Sequence, residues 1–130
     1  GVGLLVRGTE PQPWNSTLRA IKRQVEQAVG TQFDEVLVSG HEFIADALDW
    51  HSDLSPTLDA TRPIAIVSLG ESRDILFREK GAREVAGQLA LEHGSLCVMT
   101  PEMHFTHEHC SPRANLAGGR RISITLRGCR

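Results

Sequence analysis

The apolar residues of this chain change period once. In NSTLRAIKRQVEQAVG (15–30), Leu18, Ile21, Val25 and Val29 recur at helical spacing. Asn15 or Ser16 is placed to cap the start of that helix and Gly30 to stop its end. Beyond Gly30 the pattern is that of strands. FDEVLVSGHEF, PIAIVSLG, RDILFRE, REVAGQLAL, SLCVMT, MHFTHEH and RISITLR are short and rich in β-formers, and Gly70, Gly81, Gly94 and the Gly118-Gly119 pair punctuate them. One helix followed by many short strands predicts a mainly β (α+β) domain: a barrel, a sandwich or a jelly roll. SPRANLAGGR (111–120) reads as a loop.

Composition narrows the function classes. The chain has 130 residues, enough for one domain with a real core, and 40% of them are hydrophobic. The net charge of −2 offers no bulk attraction for nucleic acid. No apolar run approaches the ~20 residues of a membrane span, and the first residues do not read as a signal peptide. Cys97, Cys110 and Cys129 make an odd count without a paired framework, so reduced thiols and an intracellular setting, cytoplasmic or nuclear, are expected. A start at Gly1 fits one domain over 1–130 that is a piece of a longer polypeptide.

Three stretches carry chemistry. DWHSD (49–53) places His51 and Asp53 two apart, on one face if the stretch is a strand. HFTHEHC (104–110) places His107 and His109 on one face by the same parity and His104 on the other. Exposed polar residues, or a zinc site using Cys110, are alternatives there, although paired cysteine spacing is missing. RISITLR (121–127) alternates strictly. Ile122, Ile124 and Leu126 share one face, and Arg121, Ser123, Thr125 and Arg127 the other. In an open sheet the arginines face water. In a closed or sandwiched sheet they need an anionic partner, and a small dicarboxylate fits two guanidiniums. Two histidines and one carboxylate on one side of a metal are also the arrangement of non-haem iron(II) oxygenases.

The order and spacing of these pieces resemble the AlkB-like 2-oxoglutarate- and iron(II)-dependent dioxygenases. The resemblance rests on His-x-Asp, on a histidine twelve residues before the first arginine, and on the Arg-x5-Arg ending. It runs from PWNSTLRAIKRQVEQAVGTQFDEVL through RPIAIVSLGESRDILFRE and HGSLCVMTPEMHFTHEHCSP to RRISITLR. It implies a double-stranded β-helix, or jelly roll, with one main helix on its outer face. It places Fe(II) on His51, Asp53 and His109, with His107 as the runner-up ligand, and gives 2-oxoglutarate to Arg121 and Arg127. Where relatives carry Asn-x-Tyr for 2-oxoglutarate, this chain has Ser39 and His41, both able to hydrogen-bond. Where base-repair relatives follow His-x-Asp with acidic residues, it has Leu54 and Ser55.

The activity implied is oxidation by Fe(II), 2-oxoglutarate and O2, removing methyl groups from N-alkylated bases. Single-stranded RNA or DNA is the expected substrate, bound by a monomer. Trp50 or Phe105 is a candidate to stack on a base, His107 to line the substrate pocket, and Arg73 with Arg78 to form a basic patch for phosphates. The same chemistry on a protein side chain or small molecule is the alternative, as is a binding module of the same shape without turnover.

Overall fold

The computed structural model describes residues 4–6, 15–41, 48–112 and 120–130, with the backbone alone for 4–6, His41 and Leu48. Most of the loop expected at 111–120 therefore lies outside the described residues. In chain order the described elements are β1 (Leu4–Val6), α1 (Ser16–Val29), β2 (Glu35–His41), β3 (Leu48–His51), β4 (Ile64–Gly70) and β5 (Arg73–Glu79). They continue with β6 (Gly87–Leu91), β7 (Leu96–Met99), α2 (Pro101–Thr106), β8 (His107–Ser111) and β9 (Arg121–Arg127).

The strands form two sheets, ordered β1-β2-β9-β4-β7 and β3-β8-β5-β6. Neighbours are antiparallel except β1 and β2. Among the described strands from β2 onward the chain passes back and forth between the sheets, and only β5 and β6 follow each other within one. That winding is the jelly roll expected from the sequence.

Helix α1 forms where its periodicity places it. The Asn15 side chain accepts the Leu18 N–H at 2.8 Å, and Gly30 closes the other end in the left-handed region at φ 78°, where glycine carries no Cβ penalty. Its Leu18, Ile21, Val25 and Val29 pack with Phe33, Val36, Ala65, Ile124 and Leu126 on the outer face of the five-stranded sheet. Leu126 is fully buried there, worth roughly 1.5–3 kcal/mol relative to exposure. A second apolar cluster, with Ile64, Ile75, Phe77, Leu91 and Met99 as members, fills part of the space between the sheets.

The end of β9 is held by a clasp. Arg62 donates to Asp34 at 2.7 Å, to Asp59 at 2.8 Å and to the carbonyls of Gln32 and Cys129 at 3.0 and 2.9 Å. Asp34 in turn donates its N–H to the Arg127 carbonyl. Neighbouring donors, the Cys129 N–H foremost, keep the Asp34 carboxyl below its ordinary pKa. The position of Arg127 along the barrel is therefore fixed from outside the lumen.

Two local expectations change. MHFTHEH is not one strand: residues 101–106 form α2, with Pro101 in its first turn and Glu102 near its N-terminus. Both favour a helix start, because proline's missing N–H costs nothing there and a carboxylate suits the positive end. His104 therefore sits on a helix, buried, with its Nε2 3.1 Å from the Arg62 carbonyl. DWHSD is not one strand either. β3 ends at His51, and Asp53 lies in the loop beyond. The Ser52 hydroxyl shapes that loop by donating to the His104 carbonyl and accepting the Leu54 N–H, both at 3.2 Å.

Candidate active site

His51 at the end of β3 and His109 in the middle of β8 are directly paired in register. Their rings lie 4.4 Å apart between centroids. The loop after His51 turns Asp53 back between them. Its two carboxylate oxygens lie 3.7 Å from His51 Nε2 and 3.7 Å from His109 Nε2. Among the described residues these three side chains form one group whose donor atoms are mutually within 4.8 Å. His51 Nδ1 is 2.7 Å from the Asp49 carbonyl, which can only accept, so Nδ1 is the donor and Nε2 faces Asp53. Burial pushes the His109 imidazole below its ordinary pKa, with His51 and His104 adding to the effect and Asp53 opposing it. A neutral imidazole is the ligating form. Two such nitrogens and one carboxylate fit a divalent iron with open positions.

The group stands on the wall of a cavity of about 320 Å³ between the sheets. Ser39, Ser123, Thr125, Arg121 and Arg127 line the opposite wall, and Leu37, Ile66, Ile75 and Leu91 supply apolar surface. Strict alternation on β9 thus sends both arginines inward, as the closed-sheet reading of RISITLR requires. Arg121 is buried. Its Nη1 donates to the carbonyls of Glu71 and Leu91 at 3.1 and 3.2 Å, and its Nη2 to Ser68 Oγ at 2.9 Å. Arg127 differs: its Nε is buried with no hydrogen-bond partner among the described residues. A buried N–H without an acceptor is costly.

Other candidates are placed differently. Arg73 is not an exposed strand residue. It is buried, lines the same cavity, and shares the inner face of β5 with Ile75 and Phe77. Arg78 has the opposite parity and lies outside, its Nε 3.4 Å from Glu108, so the two form no joint patch. Trp50 also faces away from the cavity, one residue before inward His51, and the Arg78 guanidinium covers its ring at 4.2 Å. His107 lies 2.7 Å from the Thr106 hydroxyl and, like Cys110, stays outside the three-residue group. Ser39 lines the cavity beside Ser123, its register partner on β9. His41 pairs with Arg121 through the backbone, and its side chain lies outside the described residues. Ser68 was missed by sequence reasoning. Its signal was a lone hydroxyl in phase with inward Ile64 and Ile66.

His109→Ala is therefore expected to weaken Mn(II) binding more than His107→Ala does. Calorimetric titration of both variants checks the order, and the reverse order would put His107 in the ligand set.

The chain belongs to the 2OG-Fe(II) oxygenase superfamily, whose model matches residues 6–127. Membership implies Fe(II), 2-oxoglutarate and O2. The alpha-ketoglutarate-dependent dioxygenase alkB homolog 3 of Homo sapiens is 30% identical over 127 residues, covering 91% of this chain and 44% of that protein. The DNA oxidative demethylase ALKBH2 of Mus musculus is 33% identical over 125 residues, covering 90% of this chain and 52% of the relative. The chain thus spans about half the length of the curated relatives it matches. The solved structure of OsALKBH1 superposes with a TM-score of 0.68 at 18% identity, covering 94% of this chain and 67% of that one. That likeness is one of fold.

Proposed function

We propose that this domain is a 2-oxoglutarate- and Fe(II)-dependent dioxygenase that demethylates N-alkylated bases, with single-stranded RNA or DNA preferred. The observation that carries the reading is the convergence of His51, Asp53 and His109 on one wall of a cavity whose other wall presents Arg121 and Arg127. Superfamily membership and the AlkB-type relatives support it.

In this reading His51, Asp53 and His109 hold the iron, and Arg121 and Arg127 hold the carboxylates of 2-oxoglutarate. Ser39 hydrogen-bonds the keto acid, and His41 is assigned the same task. Bound there, Fe(II) with 2-oxoglutarate and O2 supplies hydroxylation of a substrate C–H bond, the keto acid leaving as succinate and carbon dioxide. The protein's own work is placement. His51, held by its Nδ1 contact to the Asp49 carbonyl, would offer Nε2 to the ion beside His109 and Asp53. The arginines fix the orientation of the co-substrate, and Leu37, Ile66, Ile75 and Leu91 exclude water. An N-methyl group hydroxylated there collapses to formaldehyde and the free base N–H.

The preference for single strands follows from what lines the site. Extruding a base from a duplex costs a few kcal/mol and needs a wedge and a stacking surface to recover it. Among the described residues no Phe or Trp lines the cavity, and Trp50 is covered by Arg78. Phe105, exposed on α2, remains the aromatic candidate outside the cavity. A single strand avoids the extrusion cost. With a net charge of −2, binding is expected to be weak and salt-sensitive. The test measures formaldehyde and succinate from matched single- and double-stranded N-methylated oligonucleotides at two salt concentrations. Faster release from the single strand is expected, and faster duplex repair overturns the preference. Succinate without formaldehyde from either would move the reading to a protein side chain or small molecule.

A further inference from the structure

Arg121 is held by bonds that lead to a histidine outside the cavity. We infer that His93, in the turn between β6 and β7, is a positioning residue for 2-oxoglutarate: by accepting the Gly70 N–H it fixes together the two segments whose acceptors aim the Arg121 guanidinium. This rests on the reading of Arg121 as a holder of the keto acid.

The acceptors of Arg121 come from two places. Ser68 Oγ and the Glu71 carbonyl belong to the end of β4 and the turn after it, and the Leu91 carbonyl belongs to the last residue of β6. Three of the five guanidinium N–H groups are taken in this way, so the two segments together set its plane. β4 and β6 lie in different sheets, and no ladder joins them. A shift of one segment against the other would turn the guanidinium. A planar fork that meets a carboxylate through two parallel bonds is sensitive to such a turn.

Two kinds of bond tie the segments. The Gly94 N–H donates to the Ser68 carbonyl at 2.7 Å and the Ser68 N–H to the Ser95 carbonyl at 3.0 Å, both through the backbone. The other is made by a side chain: the Gly70 N–H donates to His93 Nδ1 at 2.8 Å. A backbone N–H only donates, so Nδ1 is the unprotonated ring nitrogen.

Both turns are shaped for this contact. The Ser95 N–H closes on the Glu92 carbonyl at 3.0 Å, and Gly94 at φ 79° supplies the left-handed third position of that turn, which leaves His93 at its corner. Gly70, at φ 90°, has no room for a side chain, since a Cβ there would clash with the Arg120 carbonyl oxygen. The Glu71 N–H donates to that same oxygen at 3.0 Å. The turn after β4 is therefore pressed against the start of β9 on one side and tied to His93 on the other. His93 itself is exposed and belongs to neither apolar cluster, so its replacement should spare the fold.

The test titrates the Mn(II)-loaded full chain with 2-oxoglutarate. His93→Leu keeps bulk and removes the acceptor. It is expected to weaken 2-oxoglutarate about three- to tenfold, the range for one lost hydrogen bond, because the two backbone bonds remain. Mn(II) affinity should stay within about twofold, as for independent sites. His93→Asn puts an amide oxygen near the place of Nδ1 and should bind 2-oxoglutarate within about twofold of wild type. In an Arg121→Met background His93→Leu should add no further loss, because its effect passes through the guanidinium. A merely structural role would add the same loss there. Should Arg121→Met fail to fold, the contrast between His93→Leu and His93→Asn carries the test. Unchanged 2-oxoglutarate binding in His93→Leu, equal weakening in His93→Leu and His93→Asn, or a further loss in the Arg121→Met background overturns the inference. If the wild type binds no 2-oxoglutarate, or Arg121→Met binds it as tightly as the wild type, the reading of the cavity itself fails, an outcome distinct from failure of His93 alone.

Discussion

Asp53→Ala is expected to lose more than about 100-fold in Fe(II) or Mn(II) affinity, a larger loss than residues that merely support metal ligands usually cause. The reason is geometric. Both carboxylate oxygens of Asp53 face an imidazole Nε2, each at 3.7 Å. Removing the carboxylate takes away the one negative charge of the three-residue group. The fold should survive. Asp53 lies in the loop after β3 and contributes nothing to either apolar cluster, so the stability of the metal-free protein should change by about 1 kcal/mol or less. Calorimetric titration gives the affinity and a thermal melt gives the stability. Tight metal binding in the variant would show that His51 and His109 find their third ligand elsewhere.

Arg127→Met should separate stability from binding. In the ligand-free protein the buried Arg127 Nε has no acceptor among the described residues. Methionine spans a similar length without a polar atom, so the metal-free variant should be more stable by about 1 kcal/mol. The wild type should melt higher when Mn(II) and 2-oxoglutarate are added together, because a ligand that binds only the folded state stabilises it. The variant should lose most of that increment. A variant less stable than wild type in the metal-free state, with its 2-oxoglutarate increment intact, would make Arg127 a structural residue.

Local pattern was enough for much of this molecule. Helix α1 could be read with both caps, because Asn15, the Leu18–Val29 stripe and Gly30 act within one segment. The inward face of β9 could be read because RISITLR alternates without a break. His51 and Asp53 were rightly paired, although a loop and not a strand brings them together. Helix α2 was misread because its β-rich composition outweighed the Thr100-Pro101-Glu102 start signal. Arg73 and Trp50 were misplaced for a different reason. Each was judged by its side-chain chemistry, while parity with Ile75 and Phe77, or against His51, already gave the face. The Ser68–Arg121 hydrogen bond was beyond local reading. It depends on β4 lying beside β9, strands separated by some fifty residues, and such pairings follow from topology and not from any one segment.

The central claim is that one cavity holds Fe(II) and 2-oxoglutarate together. The most direct measurement adds 2-oxoglutarate to the Fe(II)-loaded protein without oxygen and follows the visible spectrum. A keto acid chelating Fe(II) through its carboxylate and ketone oxygens gives a charge-transfer band that neither component gives alone. A saturable band is expected in the wild type, none in Asp53→Ala, and in Arg127→Met a band that needs far more 2-oxoglutarate. No band in the wild type at saturating Fe(II) and 2-oxoglutarate, or an equal band in Asp53→Ala, would contradict it.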